Sequence, residues 1–459
     1  MLGRMKWLPL LLLVTLPLLA AAQSADNAAE LSKVNATGDN TRDEKALLDT
    51  AEARIRQHRT GLAEIRVLDR EGKPLKNTEV RVRLVSHEFK LGSNGFLLAN
   101  VSEPAIDPAL QQAYEARFAA LLNFATLPLY WSTYEPERGQ TKEADVRKMA
   151  AWCRAHNIVT KGHPLAWHEM FPGWARTLPD ADVLTLQRER IGGIVRSFKD
   201  SIEIFDVINE TTVSDKSDTA IGRWVKAQGT TRVVNETLTL AHEANPRAKL
   251  LYNDFNVSAD FENLVAELQK LKAPMDILGI QSHMHKELWP MDKVWSVCDT
   301  YARFGLPLHF TELTILSGKF KDKDDMDWAT VRTDWETTPE GEQRQLEYGR
   351  DLYTLLFSHH AVEAVTWWDF SDLNSWTGAP AGLLRKDMSP KPLYLWLMEA
   401  FHKTWSTDVV AKTDESGWVK VQAFYGEYEV TARNAAGADL STRLSFLKNG
   451  PRAISASVE

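Results

Sequence analysis

The sequence predicts an α/β fold, a (β/α)8 barrel carrying small β-rich extensions at both ends. Eight short apolar runs alternate with stretches of helical spacing over roughly 300 residues, which is the rhythm a closed barrel needs. Polar and aromatic residues gather where those runs end. A doubly wound open sheet is the competing arrangement, but no glycine-rich phosphate loop follows the first run, as that fold usually requires.

At the N-terminus, "MLGRMKW", "LPLLLLVTLPLLA" and "AAAQ" supply a basic start, an apolar stretch and small residues. They read as an export signal over residues 1–22, cleaved after Ala22. The stretch is shorter than the roughly 20 residues that cross a bilayer, and Pro9 and Pro17 interrupt it. The expectation is a secreted or periplasmic monomer with no membrane attachment after cleavage. Residues 23–60 read as a linker and an amphipathic helix, "EKALLDTAEARIRQHR". Residues 61–88 alternate about the turn "REGKP", the pattern of a β-hairpin extension.

The barrel is expected over residues 89–404. Its runs are 89–98, 122–131, 157–168, 202–210, 249–257, 276–283, 307–313 and 361–370. Helical spacing fills the gaps, for example in "ADVRKMAAWCRAH" and "GEQRQLEYGRDLYTLLFSHH". Residues 405–459 alternate again, with a turn near Gly426, so the two terminal pieces are expected to pair into an accessory sheet. Cys153 and Cys298 read as buried free thiols, since two cysteines make no disulfide framework.

The net charge of −8, without any basic run, excludes nucleic acid as a partner. The 16 Trp nearly match the 17 Phe; a Trp face suits a sugar ring, though it also suits a core.

A barrel brings all its C-terminal strand ends to one face. His163, Trp167, His168, Asn209, Glu210, Asn253, Asp254, Gln281, His283, Glu312, Trp368 and Asp369 all lie at such ends. "FDVINE" and "HFTEL" close two of the runs with Glu210 and Glu312. An ionised carboxylate gains nothing beside a core unless it is paired or used. Two carboxylates across one cleft are the equipment of glycoside hydrolysis, one protonating the departing oxygen and the other attacking the anomeric carbon or activating water. Capping a helix or pairing with a lysine explains one such glutamate, but two together less readily.

Histidines in "SHMH" and at His163 and His168 raise zinc hydrolysis as a second class. No HExxH occurs, and five-residue spacing places His163 and His168 on opposite sides of a strand, so neither metal nor cofactor is expected. In "WWDFSDLNSW", Trp368 and Trp376 suit a sugar floor and wall, while Trp367 points into the core. "YNDFN" reads as a hydrogen-bonded turn network, "SPKPLY" as a stop before the last helix, and "DKDDMD" (322–327) as a solvated loop.

In order along the chain, "KGHPLAWH", "FDVINE", "LLYNDFN", "GIQSHM", "HFTEL" and "WWDFSDLNSW…SPKPLY" resemble the blocks of glycoside hydrolase family 10, the retaining endo-β-1,4-xylanases. The resemblance spans residues 89–403. It implies Glu210 as acid/base and Glu312 as nucleophile, with His163, Trp167, Asn209, Gln281, His283, Trp368 and Trp376 around the sugar. It also departs from the family at two places. The second run reads "LNFATLPLYWSTYEPERGQ", with Leu127, Pro128, Leu129 and Tyr130 where the family carries Glu, Asn and Lys to grip the non-reducing side. Thr314 stands where an Asp commonly follows "TEL". The resemblance thus implies a polysaccharide or oligosaccharide substrate, most closely xylan. The alternatives are a β-glycosidase of the same clan with another specificity and a glycan-binding relative with little turnover.

Overall fold

The computed structural model describes residues 43–102, 105–433 and 439–459. The expected export signal and most of the expected linker lie outside the described residues. Eight parallel strands close a barrel: β3 (Lys90–Asn94), β4 (Phe124–Pro128), β5 (Val159–His163), β6 (Ile204–Asn209), β7 (Lys249–Asp254), β8 (Ile277–Met284), β9 (Leu308–Ile315) and β10 (Val362–Trp367). β10 closes the ring on β3. Helices such as Glu143–Ala155, Asp180–Ser197 and Pro339–Ser358 pack outside, the (β/α)8 arrangement that the sequence predicts.

The interior is layered. Phe124, Val159, Ile204, Leu251, Ile277 and Ala364 form an apolar floor. Two residues further along the same strands, the period-2 alternation turns Thr126, Lys161, Asp206, Asn253 and Thr366 into the same space. This middle layer is polar, where barrel interiors are usually filled by branched apolar side chains. The candidate site lies directly above it.

The terminal strands form a separate two-sheet sandwich. One sheet runs β12 (Trp418–Phe424), β1 (Thr60–Leu68), β15 (Ala453–Ser457). The other runs β11 (Asp408–Lys412), β2 (Glu79–His87), β13 (Gly426–Arg433), β14 (Asp439–Phe446). The expected hairpin over 61–88 is therefore not formed, because β1 and β2 join different sheets. A hairpin would leave both apolar faces on one side. In the sandwich, Ala63, Ile65 and Val67 of β1 instead share a core with Val80, Val82 and Leu84 of β2. The two termini do pair with each other, β1 antiparallel to β12 and β2 antiparallel to β11 and β13.

The amphipathic helix is split into Glu44–Asp49 and Ala51–Arg59 at Thr50, whose hydroxyl donates to the carbonyl of Ala46. Its last residue ties sandwich to barrel. Buried Arg59 donates to the carbonyls of Phe357, His359 and Val362 at 2.7, 2.7 and 2.6 Å. Asn123 donates to the carbonyls of His87 and Phe89. These contacts lie at the N-terminal ends of β3, β4 and β10, so the sandwich sits at the opposite end of the barrel from Glu210 and Glu312. Cys153 and Cys298 are free and buried. No helix among the described residues is long and apolar enough to cross a membrane.

Candidate active site

Glu312 lies in β9, buried, and every partner it has comes from another strand. Asn253 of β7 donates to its Oε1 at 2.7 Å, and His283 Nε2 of β8 lies 3.0 Å from its Oε2. His163 Nε2 of β5 is 3.9 Å from Oε1, and the other ring nitrogen, Nδ1, is 2.6 Å from Asp206 Oδ2. Burial alone would raise this carboxyl, but the charges of His163, His283 and Lys161 and the His283 hydrogen bond outweigh it. Together they hold Glu312 at about 2. Glu312 is thus ionised across the working pH range of most proteins.

Glu210 follows β6 in a left-handed backbone conformation, with φ 57° and ψ 44°. A non-glycine residue held there costs about 1–3 kcal/mol and persists where the surroundings over-determine it. Here its N–H donates to the Asn253 carbonyl, which pins the turn. Its carboxyl accepts from Trp167 Nε1 at 2.9 Å, Gln281 Nε2 at 2.8 Å and Asn209 Nδ2 at 3.0 Å. Burial pushes its pKa well above the ordinary glutamate range, and the negative charges of Glu169, Glu312 and Asp254 push it further.

The two carboxyl groups share one hydrogen-bonded bridge. Asn253 Nδ2 donates to Glu312 and also to Asn209 Oδ1 at 3.0 Å, while Asn209 Nδ2 donates to Glu210. Thr311 Oγ1 donates to Asn253 Oδ1 at 2.6 Å and fixes the amide orientation. One buried bridge therefore links a carboxyl driven toward the neutral form and one held ionised. Such divergence within a single site is how acid and nucleophile roles are separated.

Aromatic rings wall the opening. Trp368 meets His163 at 5.5 Å and Phe96 at 5.6 Å, both edge-on. Trp376, 37% exposed, stands 5.0 Å from His283 and stacks on Trp328 at 5.3 Å. Trp376 N–H donates to Asp369 Oδ2, and Asp369, whose φ is 70°, also bonds Asn94. Burial raises Asp369 to about 6. As expected, Trp367 points away, buried, donating to the Ala381 carbonyl.

All nine predicted site residues, Glu210, Glu312, His163, Trp167, Asn209, Gln281, His283, Trp368 and Trp376, belong to this one constellation. His168 and His285 are buried neighbours, and among the described residues no three His, Cys, Asp or Glu side chains are placed to hold a metal ion. The "YNDFN" segment is a turn network: Asp254 accepts from Tyr252, Thr212 and Asn256. The acidic 322–327 loop is more structured than expected, with Asp325 paired to Lys321 and Arg332.

Sequence reasoning missed Asp206, Lys161, Tyr130 and Glu169. The first two had a readable signal, each a charge inside a run that alternation turns inward. Tyr130, at the departure in the second run, packs its ring 5.3 Å from His163 and 5.9 Å from Trp167. Leu127 and Leu129 beside it are fully buried.

The sequence profile of glycosyl hydrolase family 10 matches residues 105–400. The chain belongs to glycosyl hydrolase family 10. Among its relatives, endo-1,4-beta-xylanase B of Paenibacillus barcinonensis is 30% identical over 238 residues, covering 48% of this chain and 68% of that protein. Endo-1,4-beta-xylanase B of Thermotoga neapolitana is 24% identical over 283 residues, covering 59% and 77%. In fold, the barrel is similar to native xylanase 10B from Thermotoga maritima, with TM-score 0.57 and 22% identity, covering 69% of this chain and 96% of that one. This family 10 chain is a glycoside hydrolase. At the place of the Asp that commonly follows "TEL", Thr314 Oγ1 lies 2.9 Å from His283 Nδ1.

Proposed function

We propose that this family 10 hydrolase cleaves β-1,4 linkages of a plant-wall β-glycan, most closely xylan, with retention by double displacement. The observation that carries the reading is the bridged pair, Glu210 driven toward the neutral acid and Glu312 held ionised. In the first step a Glu312 oxygen attacks the anomeric carbon, and the glycosidic C–O bond breaks as Glu210 gives its proton to the departing oxygen. In the second, Glu210 takes a proton from water as the water oxygen attacks the anomeric carbon. The bond to Glu312 breaks, and its electrons return to the carboxylate. His163, Asn209, Gln281 and His283 are the polar contacts offered to the sugar, and Trp167, Trp368 and Trp376 the apolar ones.

Xylan is favoured by the named activity of the relatives. The second run favours a different β-glycan, because the buried Leu127 and Leu129 and the packed Tyr130 replace polar groups there. A site that bonds hydroxyls discriminates steeply, so losing such groups redirects specificity more than it alters the reaction. Incubation with a panel of β-1,4-glycans tests both readings: release of reducing sugar from xylan supports the first, and turnover of another β-glycan alone supports the second. Binding without turnover on every member contradicts both. Proton NMR of fresh product reads the stereochemistry, and an initially inverted anomer would exclude double displacement. The N-terminal segment supports action outside the cytoplasm, and a monomer is the state we propose. Cell fractionation and sedimentation check these two points.

A further inference from the structure

Lys161 is unexplained by the reaction as written. It lies mid-strand in β5, fully buried, and its Nζ has no hydrogen-bond partner among the described residues. Its neighbour across the β4–β5 register is Thr126, whose hydroxyl is likewise unpartnered. An ammonium without hydrogen bonds inside a barrel is costly, and folding alone would favour a branched apolar residue there. Burial lowers its pKa, and only neighbouring anions oppose that.

The groups facing this layer are few. Asp206 comes from β6, with Oδ2 taken by His163 and Oδ1 buried and unpartnered. Glu312 comes from β9, His309 from lower on β9, and Lys90 from the foot of β3. Glu210 and Asp369 line the level above, with His283 on β8, and Asp254 is held by Tyr252 and Thr212 on the other face of β7. Asp206 and Glu312 are thus the anions that Lys161 meets. They oppose the lowering of its pKa by burial, and Lys161 in turn is among the groups that hold Glu312 low.

We propose that Lys161 is a positioning residue for Glu312: lying one layer beneath the nucleophile and charged by virtue of the Asp206 and Glu312 carboxylates around it, it favours the return of Glu312 to a carboxylate after attack. The inference rests on the double-displacement reading. The glycosyl ester removes the negative charge of Glu312, which leaves Lys161 undercompensated beneath it. Hydrolysis restores the charge, because the electrons of the breaking C–O bond return to Glu312. Lys161 therefore speeds the second step more than the first.

The test uses the full chain and an activated aryl glycoside, 2,4-dinitrophenyl β-xylobioside, with Lys161→Met, Lys161→Gln and Lys161→Arg. In the two neutral variants the acidic limb of kcat/KM should move up by on the order of one pH unit. Dinitrophenol should appear in a burst, with kcat and KM falling together by roughly tenfold as the ester accumulates. Lys161→Arg should keep the wild-type limb, kcat and KM. A merely structural role would lower the active fraction and leave the limb in place; that result, or no burst in an active neutral variant, overturns the proposal. Should neither neutral variant fold, an upward shift in Lys161→Arg, which retains the charge, overturns it. Wild type that turns over no glycoside overturns double displacement and the role of Lys161 together, whereas an active wild type with unaltered variants overturns only the latter.

Discussion

The mouth of the barrel and the terminal sandwich solve opposite problems within one chain. In the sandwich, Ile65, Val67, Val80, Val82, Val421 and Val430 fill the core, and charged residues stay outside in exposed pairs such as Arg81–Asp408 and Arg83–Glu429. Its left-handed turns fall on Gly72, Gly417 and Asn77, residue types that tolerate them. At the mouth, Glu210, Glu312, Asp206 and Asp369 are buried or nearly so, and Met170, Glu210, Asp369 and Thr377 take positive φ without being glycine. One region follows the rules of folding closely. The other breaks them at several adjacent positions, which stability alone does not explain and chemistry does.

The largest expected effect breaks the mouth and leaves the sandwich alone. Glu312→Gln should lower kcat by on the order of 10⁴-fold or more, with the melting temperature near wild type. Steady-state kinetics beside a thermal melt checks it, and a modest loss would place the nucleophile elsewhere. Glu210→Gln should cost roughly 10²–10⁴-fold in kcat/KM on a natural glycan and much less in kcat/KM on a dinitrophenyl glycoside, whose leaving group needs no proton. On the latter kcat still falls, because the second step has lost its base.

The same substitution should alter stability at alkaline pH. The folded pKa of Glu210 lies above its unfolded value of about 4.3, so its contribution is present below that value and lost as pH rises through the folded pKa. Glu210→Gln should therefore lose less stability toward alkaline pH than wild type, as denaturant midpoints across pH would read. Parallel wild-type and variant curves would contradict the raised pKa.

The reverse experiment belongs to the sandwich. Ile65, 1% exposed, packs in its core, so Ile65→Ala should cost about 2–5 kcal/mol of stability while kcat below the melting temperature stays unchanged. A fall in kcat would mean that the two ends of the barrel are coupled through Arg59 and the strand feet. The smallest effect is expected at the exposed Arg81–Asp408 pair, where Arg81→Ala should leave the melting temperature and kcat unresolved from wild type.

The barrel was legible because its signal is redundant. Eight runs and their helices repeat one pattern; six of the eight strands fall within the run that announces them, and β8 and β9 overrun theirs by one and two residues. The candidate pair was legible because Glu210 and Glu312 end or interrupt apolar strands, and that violation survives in the sequence alone. Pairing between β1 and β2 was misread because alternation gives the faces of a strand, not its neighbour. Asp206 and Lys161 sit on strands already assigned to the core, so they became visible only once alternation could be combined with barrel closure. Tyr130, noticed only as part of the departure in the second run, carries no such mark, since a tyrosine inside a run reads equally well as packing.

The central claim is that Glu312 attacks the sugar while Glu210 supplies the proton. Incubating the enzyme with a 2-deoxy-2-fluoro glycoside bearing a dinitrophenyl leaving group slows the second step and traps the ester; proteolysis and mass spectrometry then locate the label. The expected result is one sugar on the peptide carrying Glu312, with the label lost on reactivation. A label on Glu210, or an active enzyme that never acquires one, would contradict it.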